Sequence, residues 1–216
     1  KEELDIKDLT GKNDWIAIVH IDGNGLGTVV QKLGKYREKF REFSYLLDQA
    51  TTKAANKVFK DIIGNDKFNP DKLPFCPVVL GGDDLTVIIR GDLAMPYAQK
   101  FIAEFERETS QGEMKNLLSK ANITKLTACG GIAYIKASFP FYYGYKLAEE
   151  LCHAAKTDAK AINKENVTSC LMFHKVQDSF VQSYKDIKAR ELELKPKADG
   201  KDKAANNVQN APATPK

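Results

Sequence analysis

Apolar residues along this chain recur with two periods, and the changes from one to the other divide it into elements. Trp15 to Ile21 is a β-branched-rich run interrupted only by His20, and it stops at Asp22-Gly23 as a buried strand entering a turn does. Gly23, Gly25 and Gly27 then space a predicted loop. From about Lys35 to Ile63 the positions Phe43, Leu46, Leu47, Ala50, Ala54, Val58 and Ile62 recur at three and four, the stripe of a long amphipathic helix that Gly64-Asn65 stops. Two short apolar runs, Phe75 to Leu80 and Leu85 to Ile89, flank Gly81-Gly82-Asp83-Asp84 and predict a hairpin with a tight glycine turn. A second helix is predicted from about Met95 to Leu118, with Pro96 at its start and Phe101, Ile102 and Phe105 facing inward. Leu126 to Ile135 reads as a fourth strand, Pro140 opens a third helix through Leu147, Leu151 and Ala155, Ser169 to Val176 makes a fifth strand, and a last helix occupies roughly Gln177 to Glu191.

The order strand, helix, strand, strand, helix, strand, followed by one more helix and strand, predicts an α+β fold. Its core is the ferredoxin-like βαββαβ arrangement, an antiparallel sheet with helices on one face. In such a sheet the first strand lies beside the central hairpin, so Asp22 can meet Asp83 and Asp84 across some sixty residues of chain. The expected organisation is a charged lead-in over 1–13, one folded domain over 14–191 and a tail over 192–216. From Lys195 that tail is rich in Lys, Ala, Asn and Pro around a lone Val208, too little apolar surface to offset chain entropy, so disorder is expected there.

Composition narrows the function classes. At 216 residues and 43% hydrophobic, the chain can bury one good core but not two. Of the net charge of +4, five lysines against two aspartates from Leu194 onward account for +3, so the rest is nearly neutral. A near-neutral globule gives no strong sign of binding duplex DNA. Cys76, Cys129, Cys152 and Cys170 are scattered without C-x-x-C spacing, which predicts buried free thiols rather than a zinc site or disulfides. No apolar run approaches a membrane span, and the charged start is not a signal peptide, so a soluble cytoplasmic protein with no membrane partner is expected. The missing initiator Met suggests an excerpt whose flanking domains are absent.

The chemistry concentrates in three acids. Mg²⁺ prefers oxygen ligands in octahedral geometry and is commonly held by one or two carboxylates plus substrate phosphates, and Asp22, Asp83 and Asp84 supply such a set. Two ions about 3.5–4 Å apart can activate an attacking hydroxyl and stabilise a leaving pyrophosphate. Gly23, Gly25 and Gly27 could form a cradle in which phosphates approach backbone N–H groups, although Asp22-Gly23-Asn24-Gly25 alone reads equally as a turn. The spacing is not a dinucleotide fingerprint, because Thr28 stands where the third glycine belongs. Gly130-Gly131 inside a strand signals a close backbone approach or a bulge. His20 shares a strand face with Asp22 and reads either as a neighbour of the site or as a packed histidine, the latter favoured. The aromatic cluster from Phe139 to Tyr145 reads as core more readily than as a base-stacking surface.

Asp22-Gly-Asn-Gly-Leu-Gly27, Leu80-Gly-Gly-Asp-Asp-Leu85, Cys129-Gly-Gly-Ile-Ala133 and the helix segment Ala148 to Lys156 together resemble the palm domain of the CRISPR polymerase, the large subunit of type III CRISPR effector complexes, over about residues 14 to 176. The chain is more distantly similar to GGDEF nucleotide cyclases. The resemblance implies a ferredoxin-like palm whose metal ligands are Asp22, the Gly23 carbonyl, Asp83 and Asp84, with Asp83 and Asp84 catalytic and Mg²⁺ or Mn²⁺ as cofactor. It implies a nucleotide contacted by Asn24, Gly25, Gly27, Gly81, Gly82, Gly130, Gly131 and Lys156, the lysine reading otherwise as a solvated helix charge. The implied activity joins nucleoside triphosphates, ATP first, into cyclic or linear oligonucleotides for antiviral defence. A cyclic-dinucleotide cyclase and a non-catalytic nucleotide-binding scaffold are the alternatives. Because the family builds its site from two palms, the implied partner is a second copy, another palm-containing protein or an effector complex.

Overall fold

The computed structural model describes residues 9–10, 14–33, 37–64, 73–164, 166–177 and 183–192. Strand β1 (Trp15–Gly23) leads through helix α1 (Leu26–Leu33) and helix α2 (Arg37–Ile62) to the hairpin β2 (Phe75–Gly81) and β3 (Asp84–Arg90). Helices α3 (Gly91–Thr109) and α4 (Gly112–Ser119) follow, then β4 (Ala128–Lys136), α5 (Phe141–Ile162), β5 (Cys170–Lys175) and α6 (Tyr184–Ile187), which runs into a π-helical turn over Lys188–Leu192.

The five strands lie in the order β2-β3-β1-β4-β5. β1 is central, antiparallel to β3 on one side and to β4 on the other, and it is apolar on both faces because both faces are covered. Ala17, Val19 and Ile21 point with Val87, Ile89 and Ile132 into a core closed by Phe43, Leu47, Ala54 and Val58 of α2 and by Tyr97, Phe101 and Phe105 of α3. The alternate residues Ile16, Ile18, Ile88, Ala133 and Ile135 form a second core with Leu147, Ala148 and Leu151 of α5.

The βαββαβ core therefore has the expected order and sidedness, but the two additions depart from an antiparallel sheet with helices on one face. β5 runs parallel to β4, because the chain returns along α5 before entering the sheet again and a strand-helix-strand crossover yields a parallel pair. α5 covers the face opposite α2 and α3. Gly131 makes that covering possible: a Cβ there would stand 2.0 Å from the Ala148 carbonyl oxygen and 2.5 Å from the Cys152 nitrogen. The close approach signalled by the strand glycines is thus that of a helix backbone at Gly131, while Gly130 faces the other side beneath Ile21 and Leu171.

Three local features also differ from the sequence reading. Residues 26–33, expected as loop, form α1, which starts where Gly25 turns the chain at φ +71°. The helix expected over 95–118 begins at Gly91 and breaks at Ser110-Gln111 before Gly112, whose φ is +59°. The last helix is short where it is described, and 178–182 of its expected span lie outside the described residues. Leu9, assigned to the lead-in, is buried in the α5-side core. The expected tail lies, from 193 onward, outside the described residues. Among the described residues no helix is long and apolar enough to cross a membrane. Cys129 and Cys152 are buried free thiols as expected, but Cys76 and Cys170 are only half-buried.

Two glycine substitutions should behave oppositely. Gly131→Ala is expected to destabilise by about 1–3 kcal/mol or more, since the helix must move to admit a methyl group. Gly27→Ala, in α1 with open space at the added carbon, should raise stability by up to ~1 kcal/mol through helix propensity. Urea unfolding of both variants measures the pair, and equal stabilities would refute this account of α5 packing.

Candidate active site

The end of β1 and the tip of the β2–β3 hairpin meet because β1 and β3 pair antiparallel with Ile21 opposite Leu85. One residue further along each strand stand Asp22 and Asp84, with Asp83 in the turn beside them. Gly23 permits the contact: a Cβ on it would lie 2.9 Å from the Asp83 Cβ and 3.2 Å from its Oδ2. One oxygen from each of Asp22, Asp83 and Asp84 lies within 4.8 Å of the others, with all three residues half-buried.

Three carboxylates at this spacing oppose one another's ionisation. Burial, followed by the hydrogen bond and charge of Asp22 and the charge of Asp84, raises the Asp83 carboxyl to about 6. Asp84 is also raised, first by burial and then by Asp22, while His20 and Lys156 pull it down. Part of the repulsion is relieved from α5. Lys156 Nζ pairs with Asp22 Oδ2 and donates to the Gly23 carbonyl oxygen at 2.9 Å. An ammonium group thus already rests on a carboxylate and a backbone carbonyl that could otherwise bind a metal ion.

The donor set suits a hard cation. Ligands on opposite sides of Mg²⁺ are about 4.2 Å apart for metal–oxygen distances of about 2.1 Å, so carboxylates spread over as much as 4.8 Å need close only slightly. The neighbouring Cys152 thiol, pushed up to about 12 by burial, is turned to the Cys129 carbonyl, to which it donates at 3.2 Å.

The other expected site residues divide. Gly25 and Gly27 are where the sequence reading put them, but as the turn and first helical turn of α1. The Gly25 carbonyl takes the opening bonds from Thr28 and Val29 at 3.0 and 3.3 Å, so the N–H groups of Leu26 and Gly27 are left without helical partners, as at any helix start. Asn24 turns inward: its Nδ2 donates to Thr127 Oγ1 at 3.1 Å and Cys129 Sγ at 3.3 Å, stapling the loop to the start of β4. Its Oδ1 is buried without a hydrogen-bond partner among the described residues. His20 is bonded through Nδ1 to Thr86 Oγ1 at 2.9 Å and stands edge-on to Tyr145. In the aromatic cluster Phe139 packs into the core, whereas Tyr142 is 65% exposed.

Two residues beside the site escaped the sequence reading. Thr51 of α2 donates to the Gly82 carbonyl oxygen at 2.6 Å, and Asp48, one turn earlier, accepts from the Gly82 N–H at 3.2 Å. The signal was a fully buried threonine inside an otherwise apolar helix stripe, where a hydroxyl needs a partner.

Comparisons with known proteins bear on the fold and the family. The family model described as Cas10/Cmr2, second palm domain, matches residues 15–168. Among solved structures, a Csm1–Csm4 cassette in complex with pppApA has a TM-score of 0.54 at 18% identity, covering 73% of this chain and 21% of that one. A Csm1–Csm4 subcomplex of the type III-A CRISPR-Csm interference complex gives the same four values. Csm1 of T. onnurineus gives a TM-score of 0.51 with the same identity and coverage. The chain therefore spans about a fifth of these relatives (21%) and shares their fold. No curated protein sequence matches it.

The crowding of carboxylates has a measurable sign. Asp83 folds with its proton affinity raised to about 6, so it contributes stability that is complete below the unfolded-state value near 4 and lost as pH rises through 6. In EDTA at pH 8, Asp83→Asn should therefore be more stable than wild type by roughly 1 kcal/mol, after allowance for solvent screening. The advantage should vanish near pH 4. Chemical unfolding at the two pH values measures it, and no difference at pH 8 would contradict the assigned repulsion.

Proposed function

The chain belongs to the Cas10/Cmr2 second-palm family, and from that premise we propose that it is a metal-dependent nucleotidyltransferase palm. In this reading it binds nucleoside triphosphates, ATP first, and joins them into linear or cyclic oligonucleotide signals as part of a CRISPR-type effector complex. The observation that carries the reading is the trio Asp22, Asp83 and Asp84 within 4.8 Å, with the Lys156 ammonium already bound on its edge. The pppApA ligand of the Csm1–Csm4 relative supports adenine nucleotides as the first substrates to try.

Asp22, Asp83, Asp84 and the Gly23 carbonyl would hold Mg²⁺ or Mn²⁺, which when bound supplies charge neutralisation for the triphosphate and for departing pyrophosphate. The chain's own groups then have distinct tasks. Lys156, freed from Asp22, is near enough to turn to a phosphate oxygen. The unpartnered N–H groups of Leu26 and Gly27 offer donors at a helix start, where anions are favoured. Asp84 would either complete the metal set or, where the second palm presents a ribose 3′-hydroxyl to it, take that proton as the hydroxyl oxygen bonds to the α-phosphorus and pyrophosphate leaves. Gly81 and Gly82 let the turn approach the nucleotide without side chains in the way.

Calorimetry with ATP, with Mg²⁺ or with EDTA, tests the site. Binding is expected only with metal, and at least tenfold weaker in Asp22→Ala and Asp83→Ala. Equal affinity in all three proteins would remove the metal assignment. Mass spectrometry after incubation with each triphosphate and Mg²⁺ or Mn²⁺ then reads the product. Longer linear or cyclic oligoadenylates support the proposal, a cyclic dinucleotide would make it a cyclase, and binding without product even with a second palm supplied would make it a scaffold.

Catalysis needs a second palm, because one carboxylate cluster can activate one triphosphate but cannot also orient the hydroxyl of another, and orientation can supply ~7–11 kcal/mol of such a barrier. A second copy related by a two-fold axis, or another palm-containing protein, would provide it. If the chain pairs with itself, specific activity should rise with protein concentration. Adding Asp83→Ala/Asp84→Ala protein should then lower turnover through mixed dimers. Constant specific activity of a monomer across the dilution series would refute the two-palm requirement.

A further inference from the structure

The turn that carries Asp83 is held from beneath by α2. Gly82 has φ +59°, whereas Asp83 does not adopt a positive φ. That is the pattern of a type II′ hairpin turn, with glycine at its first central position. Rotation of the peptide between the two central residues converts II′ to I′, which requires positive φ at both. Aspartate enters that region more readily than most residues, so the sequence of the turn does not itself prevent the change. The hairpin ladder does not prevent it either, because it closes between Gly81 and Asp84 and leaves the Gly82–Asp83 peptide outside.

Thr51 and Asp48 act on that peptide and the one before it. The Thr51 hydroxyl donates to the Gly82 oxygen at 2.6 Å, and Asp48 Oδ1 accepts the Gly82 N–H at 3.2 Å. The two side chains are three residues apart and so share one face of α2. Thr51 is 0% exposed, so no bulk water competes for its single hydroxyl proton. A threonine within a helix ordinarily turns that proton back to a carbonyl of the preceding turn; here it goes to the hairpin.

We propose that Thr51, assisted by Asp48, is a positioning residue: it locks the Gly82–Asp83 peptide, aims the Asp83 carboxylate at Asp22 and Asp84, and so sets the affinity of the cluster for a divalent cation. The inference rests on the metal-binding reading above. It assigns α2, which contributes no ligand, control over the geometry of the ligands.

Mn²⁺ titration followed by electron paramagnetic resonance, without nucleotide, tests it alongside thermal melting. Wild type should bind Mn²⁺. Thr51→Val, which keeps the shape and removes the donor, should weaken binding at least fivefold in the folded protein, and Thr51→Ser should restore it. A Thr51→Val protein that melts earlier yet binds Mn²⁺ within twofold of wild type would overturn the proposal, since the threonine would then only dock the hairpin. Should Thr51→Val not fold, exposed Asp48 decides the matter. Asp48→Ala is expected to weaken Mn²⁺ binding two- to threefold and Asp48→Asn, which retains an acceptor, to restore it; unchanged affinity in Asp48→Ala would overturn the proposal. Failure of wild type to bind Mn²⁺ shows before any variant is made, and it would remove the metal reading and this inference together.

Discussion

Mutual repulsion among Asp22, Asp83 and Asp84 is the constraint around which the rest of the structure is arranged. Carboxylates held within 4.8 Å in a half-buried setting would separate if the backbone let them, and four features of the fold oppose this. β1 is fixed between β3 and β4 by ladders on both edges, so Asp22 cannot retreat. Gly23 lets the hairpin tip come within contact of the strand end. α2 grips the tip at Gly82, and α5 brings Lys156 to the edge of the cluster. A site kept ready against its own charge is primed for cations, because a bound ion removes the repulsion that the fold otherwise sustains.

What the sequence made legible follows the strength of each local signal. β1, the hairpin, the α2 stripe and the start of α5 at Pro140 are long or sharply bounded, and each stands within a few residues of its expected place. α1 was hidden because eight residues starting Leu26-Gly27 hold barely two turns, too few for a period to show, and its glycine read as loop. The parallel pairing of β5 had a signal that local patterns do not carry: a strand, a 22-residue helix and another strand form a crossover unit, and such units give parallel strands. The side of the sheet taken by α5 was written only in Gly131, whose meaning requires knowing which backbone approaches it.

The acidic trio was legible for a different reason. Paired aspartates in a tight turn gain nothing locally, so they stood out against any purely structural use. Asn24 and Thr51 show the converse. Asn24 sits within the most conspicuous motif of the chain yet spends its amide on Thr127 and Cys129, whereas Thr51, in an unremarked helix, touches the turn itself. Motif membership marks where chemistry is concentrated; it does not say which side chains face it.

Packing and electrostatics meet in α5. Because Gly131 has no Cβ, the helix backbone between Ala148 and Cys152 can rest directly on β4, and Cys152 donates its thiol proton to the Cys129 carbonyl at 3.2 Å. Cys129 is the register partner of Asp22. One turn beyond Cys152, Lys156 therefore emerges directly over Asp22, and its reach to the Gly23 carbonyl depends on how closely the helix lies. A helix pushed outward by even a methyl group would withdraw the ammonium from the cluster. The glycine that reads as a weakness in a strand is thus the residue that sets the charge balance at the opposite end of the helix contact.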